Sequence, residues 1–212
     1  MSEDMNNIQK LSKLMTLDAD ANTSKIEEHF KQIAMMLFES FAIKHCETLY
    51  NFKEIEFFFY NKNHRDIITH PRISKPLCWY VNDFGGIDLN FASNIVREGR
   101  LNSTGKNVVK YVLDDSAYFG GILIRQLVRK NSGDILKGPL ACAELFRKYD
   151  ATGVNMNEDL PILVESDNGK IEIENITTKS RVNILSKPNE LDNKVKKILY
   201  EYHKHIQPSQ ET

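Results

Sequence analysis

Glu54-Ile55-Glu56-Phe57-Phe58-Phe59-Tyr60 carries four consecutive aromatic side chains behind polar residues, a composition that suits a pleated strand better than a helix. Side chains alternate along a strand, so Glu54, Glu56, Phe58 and Tyr60 share one face, with Glu56 about 7 Å along the strand from Phe58. A second aromatic run, Cys78-Trp79-Tyr80-Val81, follows Pro76 and leads into Phe84-Gly85-Gly86-Ile87-Asp88-Leu89-Asn90-Phe91. Between the two lie Asp66, Thr69, His70 and Arg72. Two strands bracketing a loop of acid, imidazole and guanidinium groups make a candidate cleft, because functional groups tend to sit on loops held by rigid elements.

Outward from this stretch, Ile26, Phe30, Ile33, Leu37 and Phe41 recur at helical spacing, and Ser24 with Glu27 forms a capping-box pattern at the start. Met35 and Met36 add core filling beside that stripe. Residues 1–22 read as a short helix or a loose arm, and His45 to Tyr50 as a second helical piece. Asn94 to Asn107, with Gly99, Ser103, Thr104 and Gly105, reads as a long loop. Arg97, Arg100 and Lys106 against Glu98 make that loop either an ordinary solvated surface or a phosphate-facing rim, joined there by Arg72.

Val108 to Leu113 and Tyr118 to Val128 read as strands, and the Gly120-Gly121 pair inside the second signals a bulge or a close backbone approach. Asn131 to Asp134 turns the chain back into Ile135-Leu136, and Pro139 opens a helix running to about Tyr149. Leu160 to Val164, Lys170 to Glu174 and Ser180 to Leu185 read as short strands, the first two joined by a hairpin turn at Ser166 to Gly169. Leu191 to Tyr202 reads as a terminal helix with Val195, Ile198 and Leu199 inward. The expectation is an α+β fold: a mixed, largely antiparallel sheet with flanking helices. Residues 1–50 form its helical N-terminal segment, 51–205 the main domain and 206–212 a polar tail.

With 28 lysines and arginines against 29 acids, the 212-residue chain is no polycation, so any nucleic-acid contact must come from a local patch. Cys46, Cys78 and Cys142 are too few and too scattered for a disulfide framework or a structural zinc site, which suits a reducing, cytoplasmic setting. No apolar run reaches the length of a membrane span, and no cofactor motif appears. His64, Asp66 and His70 have metal-ligand chemistry, but no tightly spaced pair accompanies them, and no metal is expected. His203 and His205 read as surface residues.

The order of these motifs resembles the alkyladenine (methylpurine) DNA glycosylase superfamily, and within it an uncharacterised branch. The resemblance runs through Tyr60, then Asp66 with His70, then Trp79 to Gly85, Leu123-Ile124-Arg125, Gly138-Pro139 and Arg181-Val182. It implies a glycosylase-like fold, a role in DNA repair, and hydrolysis of the N-glycosidic bond of a flipped, damaged base held between aromatic faces. On that resemblance Tyr60 and His70 would stack on the base and Arg125 would make a polar contact. The family's water-activating carboxylate falls two residues before the first tyrosine, where this chain has Phe58. The family's second tyrosine falls near Val81, with Trp79 and Tyr80 beside it.

Glu56, Asp88 and His70 are therefore the catalytic candidates, and Tyr60, Asp66, Arg72, Trp79, Tyr80 and Arg125 the substrate-binding ones. Arg125 lies in an apolar strand and needs a partner, for which Asp88 and Asp66 are the expected choices. Trp79 and Tyr80 serve equally well as core packing. The rival to a nucleobase hydrolase is a catalytically silent module that binds nucleic acid or a small ligand on the same scaffold. The oligomeric state is left open.

Overall fold

The computed structural model describes residues 5–66, 69–82, 84–101, 104, 107–146, 160–181 and 199–204. Val182, Lys106, His205, the end of the helix expected at Tyr149 and the 191–198 part of the terminal helix lie outside the described residues.

The aromatic stretch lies in the longest strand of an antiparallel sheet. Strand β1 (Phe41–His45) turns into β2 (Thr48–Asn61), which is flanked along its other edge by β8 (Phe119–Arg129). Beyond β8 come β5 (Ile87–Asn90) and β4 (Trp79–Val81), while β10 (Ile162–Glu165) lies outside β1. Short strands β3 (His64–Arg65) and β9 (Ile135–Lys137) add to β2 and β8, and β12 (Leu199–Lys204) pairs with both β2 and β11 (Ile176–Ser180). All these pairings are antiparallel. Two strands, β6 (Val96–Leu101) and β7 (Asn107–Val112), pair only with each other among the described residues. With helices α1 (Asn7–Leu14), α2 (Thr23–Ser40) and α3 (Pro139–Ala143), the architecture is α+β, as expected.

One face of the sheet is apolar because β2, β8 and β5 each present their odd or even apolar positions to it. Ile55, Phe57, Phe59, Ile122, Ile124, Leu89 and Phe91 are all fully buried there, under the α2 stripe of Ile26, Phe30, Ile33 and Leu37. Phe30 stacks on Phe57 with ring centroids 4.3 Å apart. Burial of such side chains contributes roughly 1.5–3 kcal/mol each and orients everything on the opposite face.

Several local expectations change. The α2 cap is Asn22, whose side chain accepts from Lys25 N, rather than Ser24. Phe41 is buried but opens β1, and the helix expected at 45–50 is instead the β1–β2 hairpin. The 94–107 loop is in large part the β6–β7 ribbon. Residues 166–169 do not join a hairpin to 170–174: β10 pairs with β1, Asn168 donates to the carbonyls of Phe38 and Phe41, and a 3-10 turn covers Ile173–Asn175. Residues 199–202, expected at the end of a helix, belong to β12.

Candidate functional site

The other face of the sheet is where the charged residues converge. Glu56 pairs with Leu123, Leu123 with Asp88, and Asp88 with Tyr80, so one row crosses β2, β8, β5 and β4. The next row runs Phe58, Gly121, Asn90. Glu56 and Asp88 therefore stand two strand spacings apart, roughly 9.5 Å, with half-buried Leu123 between them. Gly121 is needed in the second row because a Cβ there would come within 2.7 Å of the Phe58 ring and 3.2 Å of Asn90 Oδ1. At Gly120 the conflict is with backbone, 2.4 Å from the Phe58 carbonyl oxygen, which is the close approach the glycine pair signals in the sequence.

Four carboxylates are almost fully enclosed around this face: Glu54, Glu56, Asp66 and Asp88 are 4, 5, 0 and 1% exposed. Unpaired, each would be too costly to keep charged, so each has a cation. Arg125 donates from Nη1 to Glu56 Oε2 at 2.6 Å and lies 3.2 Å from Glu54 through Nε. Arg181 spans Glu56 Oε1 at 2.9 Å and Asp66 Oδ2 at 2.5 Å. Arg72 donates to Asp88 Oδ2 at 2.8 Å and Asn90 Oδ1 at 3.2 Å, while Asn82 donates to Asp88 Oδ1. Gln126 also donates to Glu54, and Lys179 Nζ lies 3.7 Å from it.

The position of Arg125 has a backbone cause. The β2–β8 register shifts twice, between Phe52 and Glu54 and again between Glu54 and Ile55, where β8 advances past Arg125. That bulge puts consecutive residues Arg125 and Gln126 beside the Glu54 carboxylate. The expected partners of Arg125, Asp88 and Asp66, are instead held by Arg72 and Arg181. Arg72 is 9% exposed and belongs to this buried cluster, not to an outer rim with Arg97.

Burial raises the Asp88 pKa above the ordinary carboxylate value, with Arg72 and Asn82 opposing it. Burial works against the Arg181 charge, but the Asp66 and Glu56 carboxylates outweigh it and the Arg181 pKa is raised. Burial also drives His64 down to about 4, so its ring is neutral near pH 7; its Nδ1 is 3.3 Å from Thr23 Oγ1. Asp66 Oδ1, Thr69 Oγ1 and Arg72 Nε are buried atoms with no hydrogen-bond partner among the described residues.

The aromatic candidates separate. Tyr80 is partly exposed, and the Arg72 guanidinium lies 4.1 Å from its ring centroid, with Phe58 on the same guanidinium at 5.2 Å. Tyr60 stacks on Phe119 at 5.0 Å, and Trp79 packs on Phe146 at 5.1 Å. His70 is exposed, and among the described residues it makes no hydrogen bond or ion pair with the paired carboxylates. The site thus brings together Glu56, Asp66, Asp88, Arg72, Arg125 and Tyr80. Arg181, Glu54, Asn82 and Asn90 join them without having been singled out as site residues. Their signal in the sequence was arithmetic: four acids confined to one sheet face require matching cations and amides. Among the described residues, no group of three histidine, cysteine or acidic side chains is arranged to hold a metal ion, and no helix is long and apolar enough to cross a membrane. No protein-family model matches the chain, and no curated protein matches its sequence.

Proposed function

We propose that this polar sheet face accepts a nucleobase-like ring and hydrolyses its N-glycosidic bond, in the manner of the alkyladenine DNA glycosylase superfamily that the motif order resembles. The supporting observation is that Glu56 and Asp88 stand in one cross-strand row on this face, on either side of half-buried Leu123, with the Tyr80 ring at the end of the row. Tyr80, backed by Arg72, offers a ring on which a base stacks, and stacking tolerates many bases because each has a π-face.

In this reading the substrate is a base made cationic by alkylation, and the bond from the sugar carbon breaks as the ring departs neutral. The bonding pair leaves with the base. Water then adds to the sugar carbon and gives its proton to the Asp88 carboxylate, which burial makes a better base than an ordinary aspartate. Glu56 supplies negative charge toward the cation that forms on the sugar.

A second reading, a binding module without catalysis, is favoured by one observation: both Glu56 oxygens already accept from guanidinium groups, and Phe58 occupies the place of the family's carboxylate. One experiment separates the two. DNA carrying methylated, deaminated and oxidised bases is incubated with the protein, and abasic sites are counted. Hydrolysis predicts abasic sites that Asp88→Asn reduces by about 100-fold or more, the scale of a lost general base. Retained DNA binding with no base release from any lesion selects the module.

A further inference from the structure

The β6–β7 ribbon stands outside the large sheet, and among the described residues its strands are bonded edge to edge only with each other. Residues 94–113 hold Arg97, Arg100, Lys106 and Lys110 against the single acid Glu98, in a chain whose formal net charge is −1. Arg97 and Arg100 thus stand on β6 and Lys110 on β7. Arg97 lies across from Tyr111, not from an acid, and Lys110 lies across from Glu98. Arg97 and Lys110 are both exposed, and neither has an ion-pair partner among the described residues. The contrast with Arg72, Arg125 and Arg181, each committed to a buried carboxylate, is chemical as well as spatial.

We infer that the β6–β7 ribbon is an arm that grips the phosphate backbone of a duplex nucleic acid. Two paired strands are about 4.8 Å apart between backbones, and a ribbon of that width enters a major groove about 12 Å across. Cations on adjacent cross-strand pairs then meet phosphates on the groove walls, with no need to read bases. The ribbon is joined to the rest of the fold by the bridge between Asn94 and Tyr118, one residue before β8 carries the chain into the polar face. The inference rests on the reading that this protein acts on nucleic acid, and it adds the element that holds the polymer.

The test measures binding of the full chain to a fluorescent DNA duplex by anisotropy across a salt series. Wild type is expected to bind with an affinity that falls steeply with salt. Replacing both cations, R97Q with K110Q, is expected to weaken binding by about tenfold or more and to reduce the slope of log K against log salt by about 2, since each phosphate contact contributes about 0.9. The melting temperature serves as the folding control, and it is expected to stay unchanged because both side chains are exposed on a ribbon outside the core. Unchanged affinity and slope in the double variant overturns the inference, as does a wild-type chain that ignores the duplex. Tighter binding of poly-glutamate than of duplex also overturns it, in favour of an acidic protein partner. Titration with free 3-methyladenine separates this from the ring site: binding of the base without binding of the duplex removes the arm and leaves the ring site standing, while duplex binding that R97Q with K110Q weakens supports the arm whether or not the free base binds.

Discussion

Arg72 illustrates how much one side chain holds. It neutralises Asp88, bonds Asn90 and lies beneath the Tyr80 ring, all at 9% exposure. Truncation leaves Asp88 buried without its cation, and breaking a buried pair from one side costs about 3–5 kcal/mol. Arg72→Ala is therefore expected to lower the unfolding free energy by about that amount in urea titrations, and Arg72→Met combined with Asp88→Leu to recover most of it. A loss below about 1 kcal/mol on Arg72→Ala would place the pair in a far wetter setting than the structure shows. Gly120 is the sharper steric case. Its missing side chain lets the Phe58 carbonyl approach to where a Cβ would sit 2.4 Å away, so backbone has to move to admit even a methyl group. Gly120→Ala is expected to destabilise the fold by about 2–3 kcal/mol in the same measurement, the upper part of the range for overpacking.

At the scale of elements, His64 ties β3 to the start of α2. It is 2% exposed, with a pKa of about 4 against an ordinary 6.5, so the unfolded chain takes up its proton first as pH falls. The stability that this group contributes is complete above pH 6.5 and is lost between 6.5 and about 4, by roughly 3 kcal/mol. Denaturation curves at pH 7 and pH 4.5 are expected to show that loss in wild type and a smaller one in His64→Gln. Equal losses in the two proteins assign the acid sensitivity to other groups.

Elements also show what the sequence made legible. The aromatic density of residues 54–60 and 78–81 announced β2 and β4, and Pro139 announced α3. The β1–β2 hairpin was hidden because Cys46 takes the left-handed backbone, φ 51°, that glycine usually marks. The glycine, serine and threonine residues between 99 and 105 concealed β6, whereas β7 was legible in Val108 to Leu113. Leu199 to Lys204 lost its helical expectation to long-range pairing with Glu54 to Glu56, which no local pattern encodes. The candidate site divides the same way. Glu56, Asp88 and Arg72 were legible from alternation and loop chemistry, whereas Arg181 reaches Asp66 across 115 positions and Arg125 is turned by a bulge.

For the whole molecule, the two faces of one sheet divide the labour. The apolar face, closed under α2, fixes the register; the register then sets Glu56, Leu123 and Asp88 in a row, and the ribbon forms a separate two-stranded sheet. The central claim is that a flat ring settles over Leu123 between the two acids. Carbon-13 methyl NMR of the leucines tests this directly, during titration with a DNA duplex carrying 3-methyladenine. The account predicts ring-current shifts at the Leu123 methyls, with Leu11, fully buried in the core, unmoved. Saturating DNA with no shift at Leu123, or equal shifts at both leucines, contradicts it.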